Sequence, residues 1–342
     1  MPRNILIGGI TSMRDSFTML SPSTTPYSNQ PGFARTFEEG RLTLGLFFPI
    51  ASFTGDTPSM EGQAELAKVA EAAGFAALWL RDVPLYDPGF GDLGQIFDPF
   101  VYLGYIAGQT SAIALATGAI VVPIRNPLHL AKAAASVDQL SHGRLLLGVA
   151  SGDRPVEFPA FGVDSERRGE VFREHINVMR QSQRTRLTAL HWSGGSLAGA
   201  DMVPKPFTEE VPLLVTGHSR QSMDWIAKNA HGWITYPRPP QLQKMLIAEW
   251  RAAVIAQCGK IFKPFAQSLY LDLAEDPCEP PRQIHLGYRL GRIQLIALLE
   301  ELQNIGVNHV MLNLRFGQRS VDTVLNELER YVLPQFPAIT RY

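Results

Sequence analysis

The sequence lacks several features that would assign a protein quickly to a class. Its 342 residues include two cysteines, Cys258 and Cys278, which exclude a disulfide framework and have no metal-ligand spacing around them. The formal net charge of -1 provides no basic field for nucleic acid or an anionic membrane. We find no apolar run long enough to span a bilayer. These absences favour a cytoplasmic protein with a small-molecule partner.

The composition is otherwise that of a large globular domain. Apolar residues make up 45% of the chain and charged residues 18%, which is enough apolar material for one large core. Residues 18–32 are instead dense in Ser, Thr, Pro, Asn and Gln and show no periodicity. We therefore predict an irregular N-terminal arm over residues 1–40 and a single domain over 41–342. A barrel of eight βα units commonly reaches this length as one domain.

From residue 41 onward, short β-rich runs alternate with amphipathic helical patterns. The predicted strands span 42–48, 75–80, 113–122, 144–150, 212–216, 232–236, 267–273 and 309–314. Eight strands, each followed by a helix, predict parallel pairing with right-handed crossovers. This pattern indicates the α/β class and a closed (β/α)₈ TIM barrel. No Gly-x-Gly-x-x-Gly follows the first strand, which weakens the alternative of an open dinucleotide-binding sheet.

Two long connections interrupt the regular spacing of the barrel. Residues 183–210 precede the fifth predicted strand, and residues 274–291 follow the seventh. Connections of this length are uncommon without a role, and barrels carry their activity on loops at the carboxyl ends of strands. The 274–291 segment lies on that face as an inserted loop. It is a candidate lid, and a well-packed surface loop is an equal alternative.

The fourth predicted strand ends in small residues. Ser151 and Gly152 follow the apolar run 144–150 directly. Small residues at this position let backbone N–H groups approach an anion closely. Considered alone, the pair is better explained as an ordinary glycine turn.

The fifth predicted strand ends in a similar way, at Gly217, His218 and Ser219. A helix is predicted to begin near Ser219, where free N–H groups would attract phosphate. His218 or Arg220 could add positive charge. A helix cap without a ligand is the alternative here. Two such loops on one face of a barrel together favour a phosphate site.

The second and third predicted strands contribute further candidates. Thr117 and Gly118 interrupt the third strand, and glycine inside a strand often marks a bulge or a closely approaching ligand. Packing inside a narrow barrel explains this glycine as well. Arg81 and Asp82 end the second strand at the same face. They are candidates for contact with substrate or cofactor, and a structural ion pair is the favoured alternative.

At these residues the sequence resembles the luciferase-like monooxygenase family, from about Leu42 to Phe336. The most specific stretch begins at Asn126 and contains the helix end Leu-Ser-His-Gly-Arg, residues 140–144. It runs into the Leu-Gly-Val-Ala-Ser-Gly strand end, residues 147–152. The turn at 217–219, followed by Ala-His-Gly-Trp at 230–233, is similar to the family's second signature. The two signatures occur in order and at barrel spacing.

The resemblance implies a flavin-dependent monooxygenase that uses reduced FMN and O₂ on a small organic substrate. Family phosphate contacts correspond to Ser151, Gly152, Gly217, His218 and Ser219. The resemblance also implies a non-prolyl cis peptide at Gly118–Ala119. Many members place a tyrosine after the fourth strand, whereas this chain has Arg154 there, which we expect to substitute for it.

The resemblance further implies a separate flavin reductase as a transient partner. It also implies a homodimer formed through the helices that follow the second and third predicted strands, the first of them within residues 100–109. Two alternatives remain open. A deazaflavin-dependent oxidoreductase shares the barrel and the strand-four glycine pattern, but it transfers hydride and does not use oxygen. A non-catalytic flavin-binding protein of the same fold belongs to another functional class.

Overall fold

A computed structural model describes Tyr27 and residues 29–340. Its strands are β1 (Thr43–Phe47), β2 (Ala77–Leu80), β3 (Ala114–Thr117), β4 (Ile120–Val121), β5 (Leu145–Ala150), β6 (Leu190–Trp192), β7 (Gly195–Leu197), β8 (Leu213–Thr216), β9 (Gly232–Thr235), β10 (Phe265–Leu273), β11 (Arg282–Ile284), β12 (Gly287–Leu290) and β13 (His309–Asn313). Eight of them pair in parallel in the order β1-β2-β3-β5-β8-β9-β10-β13, and β13 pairs again with β1. The predicted (β/α)₈ barrel is confirmed.

Helices alternate with these strands and cover the barrel wall. They are α1 (Pro31–Thr36), α2 (Gln63–Ala73), α3 (Pro99–Ala107), α4 (Pro127–Leu140), α5 (Glu157–Ala160), α6 (Arg168–Arg184), α7 (Met223–Asn229), α8 (Pro240–Cys258), α9 (Arg292–Asn304) and α10 (Val321–Glu327). The side chain of Asn126 caps α4, and Gly74 ends α2 with a left-handed backbone. Within residues 29–340, no helix is long and apolar enough to cross a membrane.

The third predicted strand, 113–122, is divided into β3 and β4. Both segments pair in parallel with β5, and two residues separate them. The peptide bond between those residues, Gly118–Ala119, is cis, as the family resemblance implied. The break therefore lies at the carboxyl end of β3, on the face where the candidate site was expected.

The inside of the barrel is a packed core. Phe47 and Trp79 are almost completely buried there, and the alanines of β2 and β3 leave room for them. His309 is also inside, where its Nε2 accepts a hydrogen bond from Trp79 Nε1 at 3.0 Å. Burial lowers the pKa of His309 to about 3, so the ring is neutral near pH 7. A filled interior confines any ligand to the loops at the rim.

The N-terminal segment differs from the expectation of an irregular arm over residues 1–40. Residues 1–26 and 28 lie outside the described part, but Pro31–Thr36 form α1, so the prediction is wrong there. Phe33 and Phe37 join the buried cluster inside the barrel. Gly32 packs so closely that a Cβ on it would lie 2.4 Å from the carbonyl oxygen of Arg144. The domain thus begins before the predicted boundary at residue 41.

The two long connections are ordered parts of the fold. Residues 183–210 contain the antiparallel pair β6–β7. The 274–291 segment contains the antiparallel pair β11–β12, and β12 adds to the barrel sheet beside β10. Arg289 joins this hairpin to the rim, with contacts of 3.0 Å to Asp272 and 2.8 Å to Glu279. The alternative of a packed surface loop describes this segment better than a free lid.

Candidate active site

A cavity of about 280 Å³ opens at the carboxyl ends of β2, β3, β5, β8 and β9. Its wall includes nine of the residues that the sequence had singled out: Arg81, Asp82, Gly118, Ser151, Gly152, Arg154, Gly217, His218 and Ser219. Backbone, small side chains and charged side chains form most of this wall. The predicted site residues are therefore gathered around one space.

The loop after β5 presents backbone N–H groups to this cavity. Ser151 is buried and Gly152 has φ +83°, a left-handed conformation that favours glycine. A Cβ on Gly152 would also lie 2.8 Å from Val121 Cγ1. In the described part of the chain, the amides of Ser151, Gly152 and Arg154 donate to no protein acceptor. Free N–H groups on residues that line one cavity suit an anion.

The loop after β8 has a similar character. Gly217 and Ser219 have φ values of +56° and +46°, and the amides of His218 and Ser219 donate to no acceptor among residues 29–340. The following helix, α7, begins at Met223 and is capped by Ser222, so the predicted helix start near Ser219 is wrong. An anion here would be held by loop amides, and not by a helix N-terminus.

Two predicted cofactor residues do not line the cavity. Thr117 is fully buried, and its hydroxyl donates to the carbonyl of Gly148 at 2.8 Å, which ties β3 to β5. Arg220 is exposed, and its Cβ lies against Gly169 of α6. Their positions assign Thr117 to strand packing and Arg220 to the outer surface.

Arg81 and Asp82 line the cavity, but each has its own partner. Arg81 Nη2 lies 2.9 Å from Asp92 Oδ1. Asp82 accepts hydrogen bonds from Arg125 at 2.7 and 3.0 Å and from the amide of Val121 at 3.0 Å. These pairs fix the ends of β2 and β4. The structural alternative therefore describes both residues, although they do not pair with each other.

Asp92 fastens the loop between β2 and α3 over the rim. Its carboxylate pairs with Arg81 and Arg315, and its carbonyl accepts a hydrogen bond from Arg154 at 2.9 Å. Although burial acts to raise it, the pKa of Asp92 is held below its usual value by these arginines. Arg81 and Arg315 bind the ionised carboxylate of Asp92, and Arg154 binds its carbonyl oxygen. These three contacts hold the loop in place across the neutral pH range.

Arg154 keeps an uncompensated charge beside the free amides. Its guanidinium donates only to carbonyl oxygens of the β2–α3 loop and lies 4.3 Å from the centre of the Phe90 ring. It is buried, and no carboxylate of the described residues pairs with it. Arg154 thus brings positive charge to the wall that carries Ser151 and Gly152.

Sequence reasoning missed Glu157, which also lines the cavity. The residue is 1% exposed, and its Oε1 has no hydrogen-bond partner in the described part of the protein. Burial raises the pKa of Glu157 to about 7; Arg154 opposes the shift, and Asp82 and Asp153 add to it. The only signal in the sequence was an acidic residue placed between the apolar Val156 and Phe158.

Comparisons with known proteins agree with this architecture. Residues 42–260, more than half of the chain, match the family described as luciferase-like monooxygenase. The chain therefore belongs to the luciferase-like monooxygenase family. An uncharacterized protein of Mycobacterium tuberculosis strain H37Rv is 31% identical over 264 residues, which are 71% of this chain and 89% of that protein.

Two solved structures share the fold at low sequence identity. One is an F420-dependent secondary alcohol dehydrogenase in complex with an F420–acetone adduct, with a TM-score of 0.70 and 18% identity over 85% of this chain and 98% of that one. The other is the oxygenating constituent of 3,6-diketocamphane monooxygenase from Pseudomonas putida in complex with FMN. Its TM-score is 0.68, with 16% identity over 87% of this chain and 99% of that one. The fold thus occurs in both flavin and deazaflavin oxidoreductases.

Proposed function

We propose that this protein is an FMN-dependent monooxygenase that acts with reduced FMN and O₂ on a small organic substrate. One observation carries the proposal. The Ser151–Arg154 loop and the Gly217–Ser219 loop follow neighbouring strands, and their unpaired amides border one cavity. Ser151 and Arg154 are buried, and N–H groups of buried residues are rarely left without an acceptor unless a ligand or water supplies one.

The residues present fit a planar group with a phosphate tail. The amides of Ser151, Gly152, His218 and Ser219, with the guanidinium of Arg154, would hold the phosphate. A Cβ on Gly217 would meet no atom within 4 Å, so the backbone is open to close approach there. Gly118 and Ala119 supply a wall of backbone and a single methyl group, against which a flat ring can pack.

Reduced FMN, when bound, supplies the electrons that activate O₂. The contribution of this chain is to hold the cofactor and keep water away. Phe47 and Trp79 close the floor below Gly118, and the β2–α3 loop, fastened at Asp92, covers one side of the rim. A dry site lengthens the life of reactive species during oxygen chemistry. Arg81, Asp82 and His218 are among the polar side chains on this wall that a substrate could meet.

A deazaflavin-dependent hydride transfer is the second candidate, because the F420-dependent alcohol dehydrogenase shares the fold. The net charge of -1 favours FMN over a cofactor with a longer polyanionic tail. A non-catalytic flavin-binding protein is the third. It would keep the same phosphate loops but would not oxidise reduced flavin faster in the presence of substrate.

An anaerobic titration with reduced FMN and, separately, with a reduced deazaflavin tests the proposal. We expect saturable binding of FMN. Arg154→Met should weaken it about 10- to 100-fold, since a hydrogen bond to a charged group contributes ~1.5–3 kcal/mol. Arg220→Met, outside the cavity, is the matched control and should change it less than about twofold. Binding of the deazaflavin alone would move the protein to the second candidate, and binding of neither would refute both.

We also propose a separate flavin reductase, which delivers reduced FMN, and a homodimer. The surface of α3 supports the dimer, because Val101 is 73% exposed and Tyr105 52% exposed. Together with Phe97 and Met60 they border an apolar groove against α2. A second copy could cover this area, as exposed apolar patches often mark interfaces. Sedimentation as a monomer at micromolar concentration would exclude the dimer.

A further inference from the structure

Glu157 is a buried titratable group on the cavity wall to which the proposed function assigns no role. It begins the short helix α5, directly after the Ser151–Arg154 loop, and its side chain belongs to the cavity wall. Neither carboxyl oxygen makes a hydrogen bond or an ion pair in the described part of the chain. An ionised carboxylate in such a place would be costly, because only the more distant charge of Arg154 offsets its lost hydration.

The charges around Glu157 come from several elements. Arg154 and Asp153 precede it on its own loop, and Asp82 and Asp87 face it from the end of β2 and the loop that follows. The other titratable residues on the cavity wall are Arg81, His218 and Tyr236. Asp82 is already neutralised by Arg125, whereas Arg154 lies beyond ion-pair distance of Glu157. A second anion in this space would therefore repel an ionised Glu157.

We propose that Glu157 binds the cofactor phosphate as a neutral carboxylic acid that donates a hydrogen bond, so that phosphate binding takes up a proton wherever the free protein holds Glu157 ionised. This inference rests on the proposed binding of a phosphate-bearing flavin. The proton comes from solvent and stays on the carboxyl group, and no covalent bond forms or breaks. Ionised Glu157 is the form that disfavours the ligand, since two anions would repel each other across the same cavity.

The sign of the effect follows from the state of Glu157 in the free protein, where burial raises its pKa to about 7. Below pH 7 the group is already protonated, and binding needs no further proton there. Above pH 7 the protein must take up a proton to bind, so affinity falls by up to about tenfold per pH unit. Phosphate itself has a second ionisation near pH 6, which contributes equally in any variant of Glu157.

The test compares wild type with Glu157→Gln, which mimics the neutral acid. Anaerobic calorimetry with reduced FMN at pH 6.5 and 8.5, each in two buffers of different ionisation enthalpy, gives affinity and proton uptake. We expect wild-type affinity to fall about 25-fold more than that of Glu157→Gln across this range. Riboflavin, which lacks the phosphate, should show no such difference. Infrared difference spectra of wild type at pH 8.5 should show a protonated carboxyl band on FMN binding.

Each outcome bears on one of the two proposals. Equal pH profiles for wild type and Glu157→Gln would overturn the role of Glu157 while leaving FMN binding in place. Loss of binding by a folded Glu157→Gln at pH 6.5 would overturn it as well. If that variant does not fold, the infrared spectrum of wild type decides, and the absence of the band overturns the inference. Failure of wild type to bind FMN at any pH would refute the proposed function instead.

Discussion

The two ends of the barrel treat the backbone groups of their loops in opposite ways. At the amino end, side chains satisfy them. Glu71 accepts the amides of Ser111, Ala112 and Ile113, at 2.6–2.9 Å for its closest contacts. At the carboxyl end, loop amides beside Ser151 and His218 donate to no acceptor in residues 29–340. Polar groups at the first end stabilise the fold, and those at the second remain available to a ligand.

Arg144 shows how complete the pairing is at the amino end. It is 4% exposed, and its guanidinium donates to the carbonyls of Ala107, Thr110, Ile113 and Ser141 and to the Thr110 hydroxyl. The Leu-Ser-His-Gly-Arg signature therefore ties α3 and α4 to the start of β5. This part of the most specific sequence stretch, residues 140–144, thus stabilises the fold and lies at the opposite end of the barrel from the cavity.

The largest expected effect is at Arg144. Arg144→Met leaves several buried carbonyl groups without donors, so we expect the free energy of unfolding to fall by about 3–5 kcal/mol. Urea denaturation followed by circular dichroism measures this change. Arg282→Met, at an exposed position of β11, is the control and should change it by less than about 0.5 kcal/mol. A loss below about 1 kcal/mol at Arg144 would remove the contrast between the two ends.

The next effect is the pH dependence from His309 inside the barrel. The unfolded chain binds a proton at this histidine near pH 6.5, whereas burial lowers the folded-state pKa to about 3. Its contribution to stability is complete above pH 6.5 and declines as the pH falls toward 3. Between pH 6.5 and 4.5 wild type should lose about 2–3 kcal/mol more than His309→Gln.

Urea midpoints at pH 6.5, 5.5 and 4.5 measure the contribution of His309, because the other titrating groups are common to both proteins. His129→Gln, at an exposed position of α4, is the control and should follow the wild-type profile. Parallel curves for wild type and His309→Gln would show that the ring is not neutral in the folded protein.

The smallest expected effect comes from alanine substitutions at two glycines, one at each end of the barrel, that have similar backbone conformations. Gly217 at the carboxyl end and Gly40 at the amino end have φ values of +56° and +74°, and a Cβ on either would meet no atom within 4 Å. Alanine at each should cost ~1 kcal/mol of stability. Only Gly217→Ala should weaken FMN binding, by about tenfold, because its methyl group obstructs the approach of the phosphate. Equal affinities for the two variants would contradict the assigned phosphate loop.

The barrel could be predicted from local patterns, because alternating strand and helix periodicity specifies the order of elements. Features that depend on contacts between distant parts of the chain could not be predicted in this way. The helix Pro31–Thr36 packs with Gly32 against the backbone of Arg144. Nothing in the polar composition of residues 18–32 indicates that contact. Ser219 and Ser222 are both good caps in sequence, and the left-handed backbone at Ser219 excludes it from capping α7.

The candidate site was predictable to the extent that its positions follow strand ends. Ser151 and Gly217 were found because small residues after neighbouring strands lie on one face. Thr117 and Arg220 do not line the cavity, since the direction of a side chain at a strand end depends on the packing around it. Glu157 was missed because a single sequence does not reveal that a carboxyl group is buried without a partner.

The contribution of α1 to the barrel core has a consequence for shortened forms of this protein. The family match starts at residue 42, but Phe33 and Phe37 belong to the same buried cluster as Leu146 and Met311. Truncation at the start of the matched region would remove these two aromatic side chains and let water enter the barrel at its amino end. The smallest autonomous folding unit therefore includes α1, and boundaries for recombinant fragments should be placed upstream of it.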